Sequence, residues 1–265
     1  MPTVKAKDGA DLYYEVHGQG EPLLFVTGLG GNASFWTEQV PKFAPHYRVI
    51  TFDHRGAGRS SMSRISYSVE QMAADTLAVL DGLEVEKAHL IGHSTGGAIG
   101  QVIAIEQPKR LISLVVSSSW TVADAYFRRL FEVRKEALAG EPTAYVRCGT
   151  LFQYPPEYIA ENIDAIQAAE KVVIASFPPV EIIASKIDAV VRFDRTKDLH
   201  RIKVPTLVNT AVDDVICPPY FSRALTEAIP TARLGVVPQG GHFCPRSAPS
   251  QYFRNVESFL RDLRQ

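Results

Sequence analysis

The sequence predicts an α/β fold in which a mostly parallel central sheet is covered by helices on both faces. Short apolar runs typical of buried strands alternate with helical patterns from residue 23 to residue 117. Residues 121–200 show helical patterns and no convincing strand, and strand patterns return only after residue 203. We therefore predict one sheet domain, formed by residues 1–120 and 201–265, with a helical cap inserted at 121–200.

Composition narrows the class of function. The 265 residues carry 28 basic and 29 acidic side chains, a net charge of −1, without a sustained run of either sign. This balance gives no reason to expect nucleic acid or a membrane as partner. Three scattered cysteines favour reduced thiols over a disulfide framework. The N-terminal residues show no apolar signal region, so we expect a cytoplasmic protein acting on a small molecule, as a monomer or a homodimer.

The N-terminal half reads as alternating strands and helices. A hairpin is expected at Asp8-Gly9 between strands near 2–7 and 10–17, and Glu21-Pro22 is expected to interrupt the pattern before the next strand. Ser68, with Gln71 three residues later, predicts a helix start, and a further helix is expected near Asn32. The remaining expected elements are strands at 23–26, 47–53, 88–91 and 111–117 and a helix at 95–107.

Three amphipathic helices are expected in the cap, followed by the end of the sheet. Their apolar positions are Tyr126, Leu130, Val133 and Ala137, then Ile159, Ile163 and Ile166, then Ile183, Ile187 and Val190. Acidic residues are interleaved with the basic residues of the first helix, which predicts a solvated face at Arg128, Arg129, Arg134 and Lys135. Strands at 204–209 and 233–237 and a helix at 252–263 complete the chain.

The segment Gly92-His93-Ser94-Thr95-Gly96 fits a nucleophile elbow, a strained turn from a strand into a helix with serine at its tip. Side chains at the two glycine positions would collide with the opposite arm of the turn. The helix that follows directs unpaired N–H groups towards any negative charge that develops on a substrate. Ser94 is the candidate nucleophile, and the side chain of His93 is expected to point away from it and pack.

A serine nucleophile needs a base and a group that orients the base. His242 follows the predicted strand 233–237, and Asp213 and Asp214 follow the strand 204–209. All three therefore lie at the carboxyl ends of strands, where the ligand sites of open α/β sheets are found. The residues alone leave the choice between the two aspartates open. His242 and Cys244 alone provide too few ligands for a metal site, and we expect no metal or cofactor.

Two backbone N–H groups are candidates for an oxyanion hole. The first belongs to Thr95, the residue after the candidate nucleophile. The second belongs to Leu29, in the glycine-rich loop that follows the strand 23–26. Both would bind the negatively charged oxygen that forms during acyl transfer.

The same loop supports a competing interpretation. Gly28-x-Gly30-x-x-Ala33 matches the dinucleotide-binding fingerprint, and Asp53 ends the next strand at the spacing expected for a ribose-binding acid. An NAD(P)-dependent oxidoreductase is therefore an alternative. It would make the serine, aspartate and histidine elements coincidental. A non-catalytic receptor for a small ligand is a third class.

Together these motifs resemble the α/β-hydrolase superfamily over essentially the whole chain. The resemblance rests on the elbow at residues 92–97, the loop Asp53-x-Arg55-Gly56-x-Gly58-x-Ser60, the segment Ile202-x-Val204-Pro205-Thr206-Leu207 and the pair Gly241-His242. Cap segments at 128–134 and 151–155 resemble the pyrimidine-utilisation protein D group, and the 3-oxoadipate enol-lactonases are similar as well.

The resemblance implies a Ser94–His242–Asp triad with Leu29 and Thr95 as oxyanion donors. The superfamily places its acid about four residues before a proline, a spacing that Asp214 and Pro218 match. Thr27 departs from the histidine that most relatives have before the oxyanion loop. Ester, lactone, amide or carbamate cleavage is implied, and a cofactor-free perhydrolase, a haloperoxidase-like enzyme or a carbon–carbon bond hydrolase could use the same triad.

Overall fold

An eight-stranded sheet forms the centre of the protein in the computed structural model, which describes residues 1–264. The strands lie in the order β1-β2-β4-β3-β5-β6-β7-β8. Strand β2 pairs antiparallel with β1 and β4, and the remaining pairs are parallel. The bounds are β1 Thr3–Lys5, β2 Asp11–His17, β3 Glu21–Val26, β4 Tyr47–Phe52, β5 Ala88–His93, β6 Leu111–Ser117, β7 Thr206–Ala211 and β8 Ala232–Val237. The predicted α/β class is confirmed.

Helices cover both faces of this sheet. The α-helices of residues 1–264 are α1 Val40–Phe43, α2 Val69–Gly82, α3 Thr95–Glu106, α4 Ala125–Gly140, α5 Pro142–Gln153, α6 Pro156–Glu161, α7 Ile163–Ala175, α8 Val180–Arg192, α9 Pro219–Ala228, α10 Cys244–Ser247 and α11 Pro249–Asp262, of which α4 to α8 lie between β6 and β7 in the chain. None of these helices is both long enough and apolar enough to cross a lipid bilayer.

The apolar run of β3 is divided between two cores. Leu23 and Phe25 pack on one face of the sheet, in a core that also holds Trp36 and Tyr252. Leu24 and Val26 face the opposite core, together with the apolar residues of α2 and α3. Since successive strand residues point to opposite faces, a strand covered on both sides must be apolar throughout. This explains why the sequence of β3 lacks alternation.

Several predictions for the sheet region differ from the structure. β3 begins at Glu21 and includes Pro22, because a proline near the start of a strand costs little pairing. β7 spans 206–211 in place of the expected 204–209. The expected helix near Asn32 is only a four-residue 3-10 helix, Ala33–Trp36. By contrast, the Ser68 prediction is confirmed, since its side chain accepts a hydrogen bond from the N–H of Gln71 at 3.0 Å.

Five helices, α4 to α8, occupy the region where three were predicted. The expected helix after Pro155-Pro156 is interrupted at Asn162, which separates α6 from α7. Of its expected apolar face only Ile166 is buried, whereas Ile163 is 42% exposed. The third predicted apolar face is confirmed, because Ile183, Ile187 and Val190 are all buried on α8.

The buried face of α4 is offset by one residue from the predicted face. Tyr126 and Val133 are 45% and 40% exposed. Leu130 of the predicted face is buried, and the other buried side chains follow the same spacing one position later, at Phe127, Phe131, Arg134 and Leu138. One residue rotates a helix face by about 100°. The prediction that Arg134 belongs to a solvated face is therefore wrong.

Lys186 on α8 is buried between this helix and the sheet domain. Its ammonium group donates to the carbonyl of Gly56 at 3.2 Å, and burial lowers its pKa to about 7 from 10.5. Between these two values the unfolded chain binds the proton that the folded chain has released, so this group makes stability rise with pH. Below pH 7 Lys186 is charged in the folded protein, which then carries the full free-energy cost of burying that charge.

We expect Lys186→Met to stabilise the protein by about 3 kcal/mol at pH 6, because it removes the buried charge. The gain should shrink as the pH rises from 7 towards 10.5, because the unfolded chain then loses the same proton and folding no longer has to release it. Urea unfolding of both proteins at pH 6, 8 and 10 measures this difference. Lys171→Met, at an exposed site on α7, is the matched control. A stabilisation independent of pH would contradict the expectation.

Candidate active site

Ser94 lies at the tip of the turn between β5 and α3, with a φ of 55° and a ψ of −117°. Such a conformation is strained for a residue with a side chain. A Cβ atom at Gly92 would come within 2.2 Å of the carbonyl oxygen of Gly96. One at Gly96 would come within 2.1 Å of the carbonyl oxygen of Val26. Both glycines are required by the close packing of the turn against itself and against β3.

Serines at the end of β6 and just after it hold the backbone of Ser94 in place. The N–H of Ser94 donates to the carbonyl of Ser117 at 2.8 Å. The hydroxyl of Ser119 donates to the carbonyl of Ser94 at 2.8 Å. Surrounding hydrogen bonds of this kind maintain a strained conformation. The contribution of Ser119 was not foreseen, although its place after a buried strand, at the same edge as Ser94, is visible in the sequence.

His242 and Asp214 form a buried pair. Nδ1 of His242 lies 2.9 Å from Oδ2 and 3.1 Å from Oδ1 of Asp214, and both residues are at most 3% exposed. Oδ1 of Asp214 also accepts the N–H groups of Ile216 and Cys217, at 2.9 and 2.8 Å. The carboxylate is thus fixed by its own loop. Because Nδ1 faces the carboxylate, Nε2 is the histidine nitrogen available for a proton transfer.

Asp213 hydrogen-bonds the loop before His242, whereas the ring of His242 is hydrogen-bonded to Asp214. Its two carboxylate oxygens accept the N–H groups of Gly240 and Gly241, at 3.0 and 2.9 Å. These glycines have φ values of 134° and 63°, which favour glycine. Adjacent aspartates therefore hold the histidine in two ways, one through its ring and the other through its backbone.

The structure places Leu29 at the wall of one cavity with Ser94, and Thr95 directly follows Ser94 in the chain. Thr95 is the first residue of α3, and the first N–H groups of a helix have no intrahelical partner. Leu29 and Ser94 both line the cavity. A Cβ at Gly28 would lie 3.1 Å from the Cβ of Ser94, so a small residue is needed where this loop passes the serine.

Asp53 connects the Leu29 loop to the next loop of the chain. Its carboxylate accepts the N–H of Ala33 at 2.8 Å and the N–H and Nε of Arg59 at 2.9 and 3.0 Å. It is 2% exposed, so it is not free to bind a ribose. The full-length helix that a dinucleotide site requires after the Gly28 loop is also missing within residues 1–264. These observations disfavour the oxidoreductase alternative.

His93 packs as expected. Its ring stacks on Phe35 at a centroid distance of 4.8 Å and lies 4.9 Å from the ring of His242. Burial and the neighbouring imidazole of His242 hold the pKa of His93 well below its usual value. The uncharged ring of His93 therefore packs behind the candidate site. In the part of the chain that the structure describes, no three His, Cys, Asp or Glu side chains are grouped as a metal site would require.

A cavity of about 350 Å³ lies between the sheet domain and helices α4, α5 and α7. Its floor includes Leu29, Ser94 and His242, and its roof includes Arg134 and Tyr145. Pockets for small molecules have volumes of this order. Sequence reasoning did not identify the roof residues, although Arg134 follows Phe127 and Phe131 at helical spacing.

Comparisons with known proteins agree with this architecture. Residues 21–148 match the family described as alpha/beta hydrolase fold. A protein of Azorhizobium caulinodans, named as a proposed carbamate hydrolase, RutD, is 41% identical over the full length of both chains. A protein of the same name from Caulobacter sp. is 35% identical and covers 94% of this chain and 95% of its own.

Two solved structures extend the comparison. The enol-lactonase of Burkholderia xenovorans superimposes with a TM-score of 0.90 at 23% identity, covering 98% of this chain and all of its own. An N-acyl homoserine lactone degrading enzyme superimposes with a TM-score of 0.81 at 29% identity, covering 97% and 100%. Fold and full-length similarity thus point the same way: the chain belongs to the α/β-hydrolase fold family and is a hydrolase.

Proposed function

We propose that the protein is a serine hydrolase that cleaves an ester, lactone, amide or carbamate bond of a small molecule. Ser94 is the nucleophile, His242 the general base and Asp214 the residue that orients it. The observation that carries this proposal is that His242 lines the same cavity as Ser94 and is paired with the buried carboxylate of Asp214. Ser94 is directed there by a turn whose strain the neighbouring backbone maintains.

In the first step the Oγ of Ser94 attacks the carbonyl carbon of the substrate while Nε2 of His242 takes the hydroxyl proton. The carbonyl oxygen becomes an oxyanion, which the N–H groups of Leu29 and Thr95 stabilise. Collapse of this intermediate breaks the bond to the leaving group, which takes the proton from His242. An acyl-enzyme on Ser94 remains.

In the second step a water molecule attacks the acyl-enzyme. His242 takes a proton from the water and returns it to Oγ as the bond to Ser94 breaks. Asp214 stabilises the imidazolium in both steps and keeps the proton on Nδ1. The reaction needs no group beyond these side chains and backbone donors.

The relatives narrow the range of bonds. The name shared by the full-length relatives refers to carbamate hydrolysis, and the two structural neighbours are named for lactone substrates. Carbamates and lactones expose the same acyl carbon to a serine. We therefore place them first among the bonds to be tested.

Small substrates should be turned over far better than long-chain lipids. The cavity holds about 350 Å³ and is roofed by helices, a size that suits a small molecule better than a long acyl chain. We expect kcat/KM for acetyl or butyryl esters, small lactones or carbamates to exceed that for palmitoyl esters by about 100-fold or more. Titration of released acid on a matched panel measures this ratio. Comparable rates on emulsified long-chain lipid would contradict the proposed closed site.

A further inference from the structure

Arg134 is a buried cation in the roof of the cavity. It is 6% exposed and lies on α4. Nη2 donates to the hydroxyl of Tyr145 at 3.1 Å, and the guanidinium lies over the rings of Phe131 and Tyr145, at 5.3 and 4.9 Å from their centroids. Nε is buried and has no hydrogen-bond partner. No carboxylate within residues 1–264 lies within 4 Å of this guanidinium.

An unpaired arginine in such a place is costly to the fold. The guanidinium stays protonated in proteins, so it cannot escape burial by losing its charge. Burying a charge without an ionic partner is unfavourable, and aromatic faces offset only a part of the cost. An arginine with free N–H donors at the wall of a ligand cavity is therefore suited to bind an anionic group of the ligand. That group would supply the missing ionic partner.

The other charged residues of the cavity leave its lining net positive. Arg246 contributes a second guanidinium, and Glu170 is the one carboxylate in the lining among the described residues. Oε1 of Glu170 already accepts the hydroxyl proton of Thr150 at 2.6 Å. Arg134, Arg246 and Glu170 together give the lining two positive charges and one negative charge, which favours an anionic ligand.

A small residue keeps the guanidinium accessible. Gly149 on α5 lines the same cavity, and a Cβ there would lie 3.7 Å from Nη2 of Arg134. A larger side chain at this position would extend into the space beside the cation. The guanidinium of Arg134 is thus held in position, while the space beside it stays open to a ligand.

We propose that Arg134, with Tyr145, forms a subsite for a carboxylate group of the substrate. The proposal rests on the proposed function and adds the substrate class: a small acid in which a carboxylate is separated from the scissile acyl group. The carboxylate accepts charge-assisted hydrogen bonds from the guanidinium at the roof while the acyl carbon lies at Ser94 on the floor. Tyr145 holds the guanidinium in place through its hydroxyl.

Monomethyl fumarate and methyl crotonate test this subsite. They carry the same trans-unsaturated methyl ester, and one ends in a carboxylate where the other ends in a methyl group. We expect wild-type kcat/KM to favour monomethyl fumarate at least 10-fold, since hydrogen bonds to a charged group are strong. Arg134→Met should reduce this preference by about 10- to 100-fold, and Arg134→Lys should retain part of it.

Arg129→Met is the matched control, because Arg129 lies on the same helix with a side chain that is 75% exposed. It should keep the wild-type preference. An equal loss of both esters in Arg134→Met would show that the arginine only supports the fold and would overturn the subsite. So would a wild-type enzyme that hydrolyses both esters equally well.

Calorimetric titration with fumarate separates the subsite from catalysis. We expect fumarate to bind the wild type and Ser94→Ala, and to bind Arg134→Met at least 10-fold more weakly. If neither these esters nor any lactone, amide or carbamate of the small-substrate panel is hydrolysed while fumarate binding still depends on Arg134, the proposed function fails and the subsite stands. Fumarate binding that is indifferent to Arg134 would overturn the subsite even if the esterase activity is found.

Discussion

Ser94→Ala should lower kcat by about 10⁶-fold, the loss measured when the nucleophile of a serine protease is removed. The reason is that the acyl-enzyme can no longer form, and only the oxyanion donors and substrate binding remain. Ser94 contributes no core packing, so the variant should fold like the wild type. Steady-state hydrolysis of a small ester and thermal unfolding measure the two properties.

Covalent labelling gives the same prediction an independent readout. A fluorophosphonate probe should add one label to the wild type, on the peptide that contains Ser94, and none to Ser94→Ala. Ser176→Ala is the matched control, since Ser176 is exposed beyond the end of α7. Labelling that persists in Ser94→Ala would show that another residue is the nucleophile.

The turn at Ser94 could be predicted from sequence because its cause is local. Gly92 and Gly96 are needed by contacts within a few residues of the serine and with the adjacent strand β3. The fold class could be predicted for a similar reason, since strands covered on both faces must be apolar throughout, as Leu23–Val26 is. Constraints of this kind can be recognised in the sequence itself.

The roof of the cavity could not be predicted in this way. Two apolar stripes run along α4, one through Tyr126 and one through Phe127, and they differ by a single residue. The choice between them depends on which side of the helix meets the rest of the protein, and local periodicity does not contain that information. Arg134 was assigned to solvent for this reason, because interleaved acidic residues also fit a solvated face.

Long-range hydrogen bonds between a side chain and the backbone were also missed. Asp213 reaches Gly240 and Gly241, and Asp53 reaches Ala33, across at least 20 residues of sequence. No pattern within either segment specifies these contacts. They arise because parallel strands bring successive loops to one edge of the sheet. Their positions at strand ends were nevertheless predictable.

Asp214→Asn should lower kcat by about 10⁴-fold with the fold intact, as the equivalent change does in a serine protease. Oδ1 of Asp214 accepts the N–H groups of Ile216 and Cys217, so an asparagine would keep its amide oxygen there. Its NH₂ group would then face Nδ1 of His242. Nδ1 would have to accept a hydrogen bond, which moves the ring proton to Nε2, where it blocks removal of the proton from Ser94.

Asp213→Asn is the matched variant at the neighbouring position. Its amide oxygen can still accept one of the two N–H groups of the Gly240-Gly241 turn, and His242 keeps its carboxylate partner. We expect a loss of about 10-fold or less, from a less firmly held loop. Steady-state rates of both variants on one ester, with circular dichroism to verify folding, decide the assignment. If Asp213→Asn shows the larger loss, the proposed role of Asp214 is wrong and Asp213 is the acid on which the histidine depends.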